Sequence, residues 1–207
     1  DIDKTDLQRL KKYILEKKIN KNYSIKIIVN KKNFGPGKSR NIGIKHSKAK
    51  YVAFIDSDDT WHKDKLKKQI LFMKKKNLVI SHTSYSIINL KEKKISSRKA
   101  KDKIYFKDLI KSCDIGLSTV ILDLMFLKKN NLYFPTNIKT KEDYILWLKI
   151  IRKINVIRGI NFKLMNYRKI KNSLSSNIFL NLLNGYKVYR IYMRYNILKS
   201  FYLLLCL

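Results

Sequence analysis

YVAFIDSDD, residues 51–59, is the stretch of this 207-residue chain that decides the fold. Its mostly apolar first five residues are typical of a buried strand. The carboxylates of Asp56, Asp58 and Asp59 follow at once, and like charges this close repel one another unless a cation offsets them. Because oxygen ligands suit hard divalent ions, the stretch predicts a strand that ends at a magnesium or manganese site. The alternative is an ordinary turn and helix cap, which Asp and Ser also favour.

The composition makes this acidic cluster unusual. The chain carries 47 Lys and Arg residues against 15 Asp and Glu residues, so its formal net charge is +32. An apolar content of 45% is sufficient for a folded core and excludes a disordered polycation. The charge indicates attraction to polyanions: nucleic acid, an anionic membrane surface or phosphorylated substrates. Solvation alone is a poor explanation for three carboxylates within four positions of so basic a chain.

Cysteine usage and hydropathy indicate the compartment. Cys113 and Cys206 are the two cysteines, and their separation matches neither a disulfide framework nor a metal motif. The start of the chain shows no signal peptide, and no apolar run approaches the ~20 residues that span a bilayer. We therefore expect a cytoplasmic protein.

Hydrophobic periodicity predicts alternating helices and strands. The predicted helices cover residues 7–18, 39–47, 64–76, 106–112, 124–131 and 141–153, with one long helix or two shorter helices over 177–205. The predicted strands cover residues 24–29, 51–56, 78–89, 117–122, 156–160 and 163–167, with a polar edge hairpin over 91–97. This alternation predicts an α/β layered fold.

Three further motifs contain residues suited to chemistry. Residues 33–43, NFGPGKSRNIG, place glycines and Arg40 at a helix start that suits phosphate, although a tight turn explains the loop equally. Glu142 and Asp143 open a helix; carboxylates there complement the helix dipole, and a carboxylate near a metal is also a candidate general base. Residues 167–175, YRKIKNSLS, form either a loop that closes over a diphosphate or an ordinary basic loop.

In order and spacing, these motifs resemble the inverting family-two glycosyltransferases with a GT-A fold. The similarity covers most of residues 1 to about 175. It lies in four blocks: NFGPGKSRNIGIKHSKAKYVAFIDSDDTWHKDKLKKQ at 33–69, STV at 118–120, KEDYILWLKI at 141–150 and YRKIKNSLS at 167–175. The resemblance implies a Rossmann-like α/β catalytic domain with a mixed central sheet over residues 1–175. A C-terminal amphipathic helical segment is expected over residues 176–207.

The resemblance also implies how the donor is bound. It makes Asp58 the main ligand of a Mn²⁺ or Mg²⁺ ion, places Asp56 near the ribose and the metal, and sets Asp59 against the sugar or in a bracing role. It places Arg40 near the nucleotide and Arg168 at the diphosphate. The implied donor is a nucleotide-diphosphate sugar.

For the acceptor, the resemblance points to the start of the predicted helix 141–153. Asp143, with Glu142 beside it, matches the position that deprotonates the acceptor hydroxyl. The implied reaction moves the sugar to a saccharide or lipid-linked acceptor in one displacement with inversion. The implied setting is the assembly of cell-surface polysaccharide, lipopolysaccharide or capsule.

The start of the chain departs from the family pattern. Residues 1–6, DIDKTD, are similar to the tail of the loop that follows the family's second strand. The first two strands, which carry much of the base-binding pocket, are therefore expected to be absent. An N-terminally truncated domain raises an alternative hypothesis, a catalytically inactive remnant with a binding or scaffold role.

The C-terminal segment is basic. Residues 178–207 contain Lys187, Arg190, Arg194 and Lys199 and no acid. The first three fall on one helical face, which is typical of a helix lying on the anionic inner face of the plasma membrane. A helix packed on the catalytic domain with a solvated basic stripe fits equally.

A nucleic-acid-binding protein is the rival class for so basic a chain. Proteins of that class gather basic and aromatic residues on one surface. This sequence instead spreads its lysines and concentrates carboxylates at one predicted strand end. We therefore do not expect nucleic acid as a partner.

Overall fold

The computed structural model describes residues 4–16, 24–170 and 178–207, and the chain forms two compact units, residues 1–34 and 35–207. In the first unit, helix α1 spans Lys4–Glu16, close to the predicted helix 7–18. The predicted strand over residues 24–29 is wrong, since this segment has no regular secondary structure. No described strand pairs with it, and its apolar side chains stay 37% to 56% exposed, so neither ladder hydrogen bonds nor burial stabilises an extended conformation.

The second unit contains the remaining helices and the whole described sheet. Its α-helices are α2 (Pro36–His46), α3 (Lys65–Lys75), α4 (Phe106–Leu109), α5 (Leu124–Lys129), α6 (Glu142–Ile151), α7 (Ile178–Lys187) and α8 (Ile197–Cys206). Its strands are β1 (Tyr51–Ala53), β2 (Thr60–Trp61), β3 (Ile80–Ile88), β4 (Lys94–Arg98), β5 (Lys103–Ile104), β6 (Ile121–Asp123) and β7 (Ile157–Arg168). A 3₁₀ turn at Leu117–Thr119 precedes β6, and a π-helical turn at Val188–Tyr192 follows α7.

The described strands form one seven-stranded sheet in the order β1-β6-β3-β7-β2, with β4 beside β3 and β5 beside β7. Strands β3 and β7 are parallel, whereas the other pairs are antiparallel. The predicted α/β fold with a mixed central sheet is confirmed. Because Thr60 pairs with Asn166, the end of β7 lies next to the chain that leaves the Asp56–Asp59 stretch.

Strand β7 is longer than the sequence pattern indicates. The two predicted strands over 156–160 and 163–167 are one continuous strand, and the register against β3 shifts between Thr83 and Ser84. At this bulge the Asn161 side chain accepts a hydrogen bond from the Ser84 hydroxyl at 3.0 Å. A polar interruption in the apolar pattern is therefore a bulge within β7 and not a loop.

Helix α6 lies in the centre of the hydrophobic core. Every side chain from Tyr144 to Leu148 has zero exposure, which is more complete burial than the one-sided amphipathic helix predicted for residues 141–153. The Trp147 ring packs edge-on against Phe134 with the ring centroids 6.3 Å apart, and its indole N–H donates to the Ile115 carbonyl at 3.2 Å. Burial on all sides holds the first turn of α6, which carries Glu142 and Asp143, in one position.

Among the residues that the structure describes, no helix combines the length and the apolar character needed to cross a membrane.

Two glycines of helix α2 lie in opposite environments. A Cβ atom on Gly37 would lie 2.2 Å from the Pro135 carbonyl oxygen, whereas a Cβ on Gly43 would meet nothing within 4 Å. We expect Gly37→Ala to lower the free energy of unfolding by about 1–3 kcal/mol because backbone cannot move aside cheaply. Gly43→Ala should raise the same quantity by about 0.5–1 kcal/mol, as in any exposed helix interior. Urea denaturation of both variants checks the prediction, and equal shifts would contradict the packing of α2.

Candidate active site

The loop that follows β1 is held by the hydroxyl of Ser118, which the 3₁₀ turn before β6 presents to it. The Asp56 N–H donates to Ser118 Oγ at 3.1 Å, and the Trp61 indole N–H donates to the Ser118 carbonyl at 2.8 Å. Within the loop, the Asp59 N–H donates to the Asp56 carbonyl at 3.1 Å, which closes a tight turn. The three carboxylates therefore have a defined backbone position.

Arg40, on helix α2, joins this loop to the start of helix α6. Its guanidinium donates to Asp56 Oδ1 at 2.8 Å and to the carboxylate of Glu142, and the Arg40 and Glu142 side chains are only 18% and 8% exposed. The guanidinium also lies over the Phe134 ring, 5.6 Å from its centroid. Burial by itself lowers the pKa of Arg40, but the two carboxylates outweigh burial and raise it.

Asp143 follows Glu142 in a half-buried position at the start of α6. Burial raises the pKa of the Asp143 carboxyl to about 6, and the charge of Glu142 and, more weakly, that of Asp56 add to the rise. The hydrogen bond from the Tyr144 N–H and the charge of Arg40 lower this pKa and so oppose the rise. The Tyr144 N–H donates to Asp143 Oδ1 at 2.7 Å and leaves the other carboxyl oxygen available. A carboxylate that ionises near neutral pH suits proton abstraction from a hydroxyl.

Asp59 is buried beneath the loop. The Arg168 N–H donates to Asp59 Oδ1 at 3.2 Å. Burial raises the pKa of Asp59 to about 6, hydrogen bonds from Ser118 and Arg168 lower it, and the charges of Asp56 and Asp58 add to the rise. Asp59 is thereby hydrogen-bonded to the end of β7, and its place against the sugar or in a bracing role stays a prediction.

The Arg168 side chain lies at the same loop. Its Nε–H donates to the Asp58 carbonyl at 3.1 Å, and one terminal nitrogen donates to the Glu92 carboxylate at 3.1 Å. Glu92 lies in the turn between β3 and β4 with φ +59°. Of the predicted loop 167–175, the serines at 173 and 175 lie outside the described residues.

The acidic loop offers few oxygen ligands, and those of Asp56 and Asp59 are shared with protein partners. In the described part of the chain, no three or more His, Cys, Asp and Glu side chains group in a way that could hold a metal ion. Asp56 gives one oxygen to Arg40, whereas the half-buried Asp58 carboxylate has no described hydrogen bond or ion pair. Mg²⁺ is commonly held by one or two carboxylates together with substrate phosphates, so Asp58 and Asp56 fit a cation that the substrate helps to bind.

The structure brings the predicted site residues together around one loop. Asp56, Asp58 and Asp59 form the loop, Arg40 and Glu142 close it on one side, and Arg168 closes it on another; Asp143 lies beside Glu142. The sequence reasoning assigned no role to Ser118 or Glu92, although Ser118 was part of the STV block at 118–120. The predicted strand over residues 117–122 included Ser118, whereas Ser118 lies in the 3₁₀ turn before β6, so the sequence pattern held no signal for its contact with the loop.

The mixed α/β sheet carries an arginine and a carboxylate cluster at the end of one strand. The profile of Glycosyl transferase family 2 matches residues 9–133. The chain belongs to this family.

Three relatives illustrate the similarity. An uncharacterized glycosyltransferase of Rickettsia conorii is 40% identical over 175 residues, 84% of this chain, and the chain spans only 28% of that protein. WfgD of Escherichia coli, a UDP-Glc:α-D-GlcNAc-diphosphoundecaprenol β-1,3-glucosyltransferase, is 37% identical over 182 residues, which are 87% of this chain and 70% of WfgD. The crystal structure of Staphylococcus aureus TarS 1–349 in complex with UDP-GlcNAc matches with a TM-score of 0.72 at 22% identity, over 99% of this chain and 59% of that one.

The Arg40 bridge generates a stability prediction. Arg40→Met leaves the Glu142 carboxylate buried without its cation, so we expect the free energy of unfolding to fall by about 3 kcal/mol. Adding Glu142→Gln should recover more than half of that loss, because the unpaired charge is then gone.

Asp56→Asn is the matched control for the pair, since Asp56 is 43% exposed and its contact with Arg40 is partly solvated. It should recover much less than Glu142→Gln in the Arg40→Met background. Denaturation of all single and double variants gives the coupling energies. If Glu142→Gln and Asp56→Asn restored equal free energies of unfolding to Arg40→Met, Glu142 would not be the buried partner.

Proposed function

We propose that this chain transfers a sugar from a nucleotide-diphosphate donor to a hydroxyl group of a saccharide or lipid-linked acceptor, with inversion at the anomeric carbon. The observation that carries the proposal is the Arg40 bridge, which sets an ionisable carboxyl, Asp143, beside the Asp56–Asp59 loop. A base close to a diphosphate-binding loop suits a single in-line displacement.

The donor's diphosphate is assigned to the acidic loop and its basic neighbour. Asp58 and Asp56 would hold a Mg²⁺ or Mn²⁺ ion, and a cation there neutralises charge on a departing diphosphate. Arg168 already lies against the Asp58 backbone, and a short rotation of its guanidinium away from Glu92 suits a contact with phosphate oxygens. The TarS structure contains UDP-GlcNAc, which supports a uridine-diphosphate sugar as the first donor to assay.

Asp143 is assigned the role of general base. The acceptor oxygen attacks the anomeric carbon, its proton passes to the free oxygen of the Asp143 carboxylate, and the bond between the anomeric carbon and the diphosphate oxygen breaks. Because the attack comes from the side opposite the leaving group, the anomeric configuration inverts. Glu142 holds Arg40 and raises the pKa of Asp143, so it is a positioning residue in this scheme.

The pathway follows from the relatives by analogy. The name of WfgD specifies a diphosphoundecaprenol-linked acceptor. TuaG of Bacillus subtilis, whose name assigns it to teichuronic acid biosynthesis, is 32% identical over 85% of this chain. We therefore place this chain in cell-surface polysaccharide assembly, at the cytoplasmic face of the plasma membrane, with a lipid-linked saccharide as the acceptor to test first.

The cation role of Asp58 is tested by substitution. Asp58→Ala should reduce metal-dependent sugar transfer at least about a hundredfold, because it removes the loop carboxylate that has no hydrogen bond or ion pair to a described residue. Asp123→Ala, which removes a helix-capping carboxylate of α5 away from the loop, is the control and should retain the rate per folded molecule. Transfer by Asp58→Ala at the wild-type rate would remove Asp58 from the site.

The base role of Asp143 is tested by separating turnover from binding. Asp143→Asn should lower kcat by about 10²–10⁴-fold and leave the affinity for the donor within about threefold, since a base acts in the transition state. Single-turnover transfer and calorimetric donor binding measure the two quantities. If the unmodified chain binds donor and never turns over, the inactive-remnant hypothesis replaces this one.

The pH profile gives a third test. Because the pKa of Asp143 in the ligand-free protein is raised to about 6, the base is ionised above that pH, and kcat/KM should fall about tenfold per pH unit below it. Asp59 has a raised pKa of similar value, so Asp59→Asn is the control and should keep the acidic fall. If Asp59→Asn no longer showed the decline in rate at acidic pH, the group that titrates would be Asp59 in the loop and not Asp143.

A further inference from the structure

Helices α7 and α8 carry their large apolar side chains on the outside. On α8, residues at helical spacing i, i+3, i+4 and i+7 form one exposed stripe, and α7 carries a similar set with 44% to 76% exposure. The exposed residues are Leu198, Phe201, Tyr202 and Leu205 on α8 and Ile178, Phe179, Leu182 and Leu183 on α7. Leu198 and Leu205 are 82% and 88% exposed, close to the exposure of an unfolded chain.

The two sets meet at an aromatic contact. The rings of Tyr186 on α7 and Phe201 on α8 lie 5.1 Å apart, and a Cβ on Gly185 would lie 2.8 Å from Leu204. Because Tyr186 lies one turn after Leu182 and Leu183, these residues share a side of α7 with the ring that reaches Phe201. The eight exposed side chains and Tyr186 are called the outer face of the helix pair.

Each helix buries few residues on its inward side, namely Asn184 and Gly185 on α7 and Ser200 and Leu203 on α8. Asn184, on α7, is buried, and its side-chain amide donates to the Thr140 hydroxyl at 2.9 Å. Ser200, on α8, is fully buried, and its hydroxyl donates to the Asn196 carbonyl at 2.8 Å. A surface helix ordinarily turns its apolar side inward, so an outward apolar side across two helices indicates a surface that another apolar phase covers.

Charge identifies the covering phase. Residues 178–207 carry Lys187, Arg190, Arg194 and Lys199, and the sequence contains no acid after Asp143. Lys187 and Lys199 are exposed, and the Lys199 ammonium lies 4.2 Å from the Tyr195 ring centroid. Apolar side chains flanked by cations and tyrosines match the boundary between acyl chains and anionic headgroups.

We propose that the outer face of the helix pair docks on an anionic phospholipid bilayer. The helices lie in the interface, with the apolar stripe of α8 among the acyl chains and the basic residues among the headgroups. The acceptor argument below rests on the proposed transfer function, whereas the docking itself does not.

The docking surface is connected to the candidate base. Thr140, which accepts the Asn184 hydrogen bond, lies two residues before Glu142, and the Tyr189 and Tyr144 hydroxyls lie 3.3 Å apart in the core. Tyr189 follows α7 directly, and Tyr144 follows Asp143. The helices that would contact the membrane are therefore hydrogen-bonded to the segment that leads into Asp143, the candidate base for a lipid-linked acceptor.

Flotation with liposomes tests the docking. The purified chain should float with vesicles of phosphatidylglycerol and phosphatidylethanolamine and should not float with phosphatidylcholine vesicles. Leu198→Ser with Leu205→Ser should weaken binding at least about tenfold, since two buried leucines are lost. Leu71→Ser with Met125→Ser is the matched control, because these residues are also exposed, at 57% and 69%, on other helices.

A second pair of variants tests the charge. Lys187→Glu with Lys199→Glu should weaken binding to anionic vesicles about tenfold or more, whereas Lys67→Glu with Lys75→Glu on α3 changes the net charge equally and should have a smaller effect. Equal loss in both pairs would mean non-specific adsorption of a basic protein and would overturn the proposal. The proposal would also be overturned if Leu198→Ser with Leu205→Ser bound vesicles normally and changed a dimer to a monomer in light scattering. That result would assign the outer face to a second copy of the chain.

The assay separates this inference from the proposed function. The vesicles contain neither donor nor acceptor, so Asp58→Ala and Asp143→Asn should bind them as the unmodified chain does. Failure to float with intact transfer to a water-soluble acceptor would reject the docking alone. Normal flotation without transfer under any condition would reject the function alone.

Discussion

The geometry of the candidate site depends on one half-buried cation, the Arg40 guanidinium. The Asp56–Asp59 loop and the Glu142–Asp143 helix start bring five carboxyl groups into one region, where mutual repulsion opposes folding. Arg40 donates to a carboxylate of each element and so holds them together. A planar guanidinium with several fixed donors can bridge two carboxylates in a defined geometry, which the single ammonium of a lysine does less well. In a chain with 47 basic residues, this arginine is half-buried and paired with a carboxylate on both sides.

The sheet and the core supply the positions that Arg40 connects. Strand β7 runs parallel to β3 for its whole length and ends beside Ile88, so Arg168 reaches the loop through a backbone bond to Asp59. On the other side, the complete burial of α6 from Tyr144 onward fixes its first turn. The same burial that stabilises the helix also raises the pKa of Asp143 toward the range of a useful base. Packing and chemistry therefore share one cause, which is the removal of water from the start of α6.

The C-terminal helices extend this arrangement outward. Asn184, on the buried side of α7, attaches them to the segment before α6 through Thr140, whereas most of their large apolar side chains are exposed. A protein that acts on soluble substrates gains nothing from such an orientation, since exposed leucines favour aggregation. For a transferase whose acceptor is anchored in lipid, the same orientation confines the enzyme to the surface on which the acceptor lies. The basic composition, which as a bulk property indicates only a polyanionic partner, has a specific use at this surface.

The sequence by itself determined the α/β class, most helix positions and the identity of the acidic loop, because hydrophobic period and a run of carboxylates are local properties that neighbouring residues express together. The sequence pattern wrongly predicted a strand over residues 24–29, because a strand depends on partners elsewhere in the chain. It also divided β7 at Asn161, because a bulge and a loop give the same pattern in the sequence. It identified Glu142 and Asp143 as a pair but not their different surroundings, because burial and the reach of Arg40 across 102 positions arise only when the chain is folded. The outward direction of Leu198 and Leu205 was likewise decided by tertiary structure: helical spacing predicts that a stripe exists, and only the packing of α7 and α8 decides which side faces solvent.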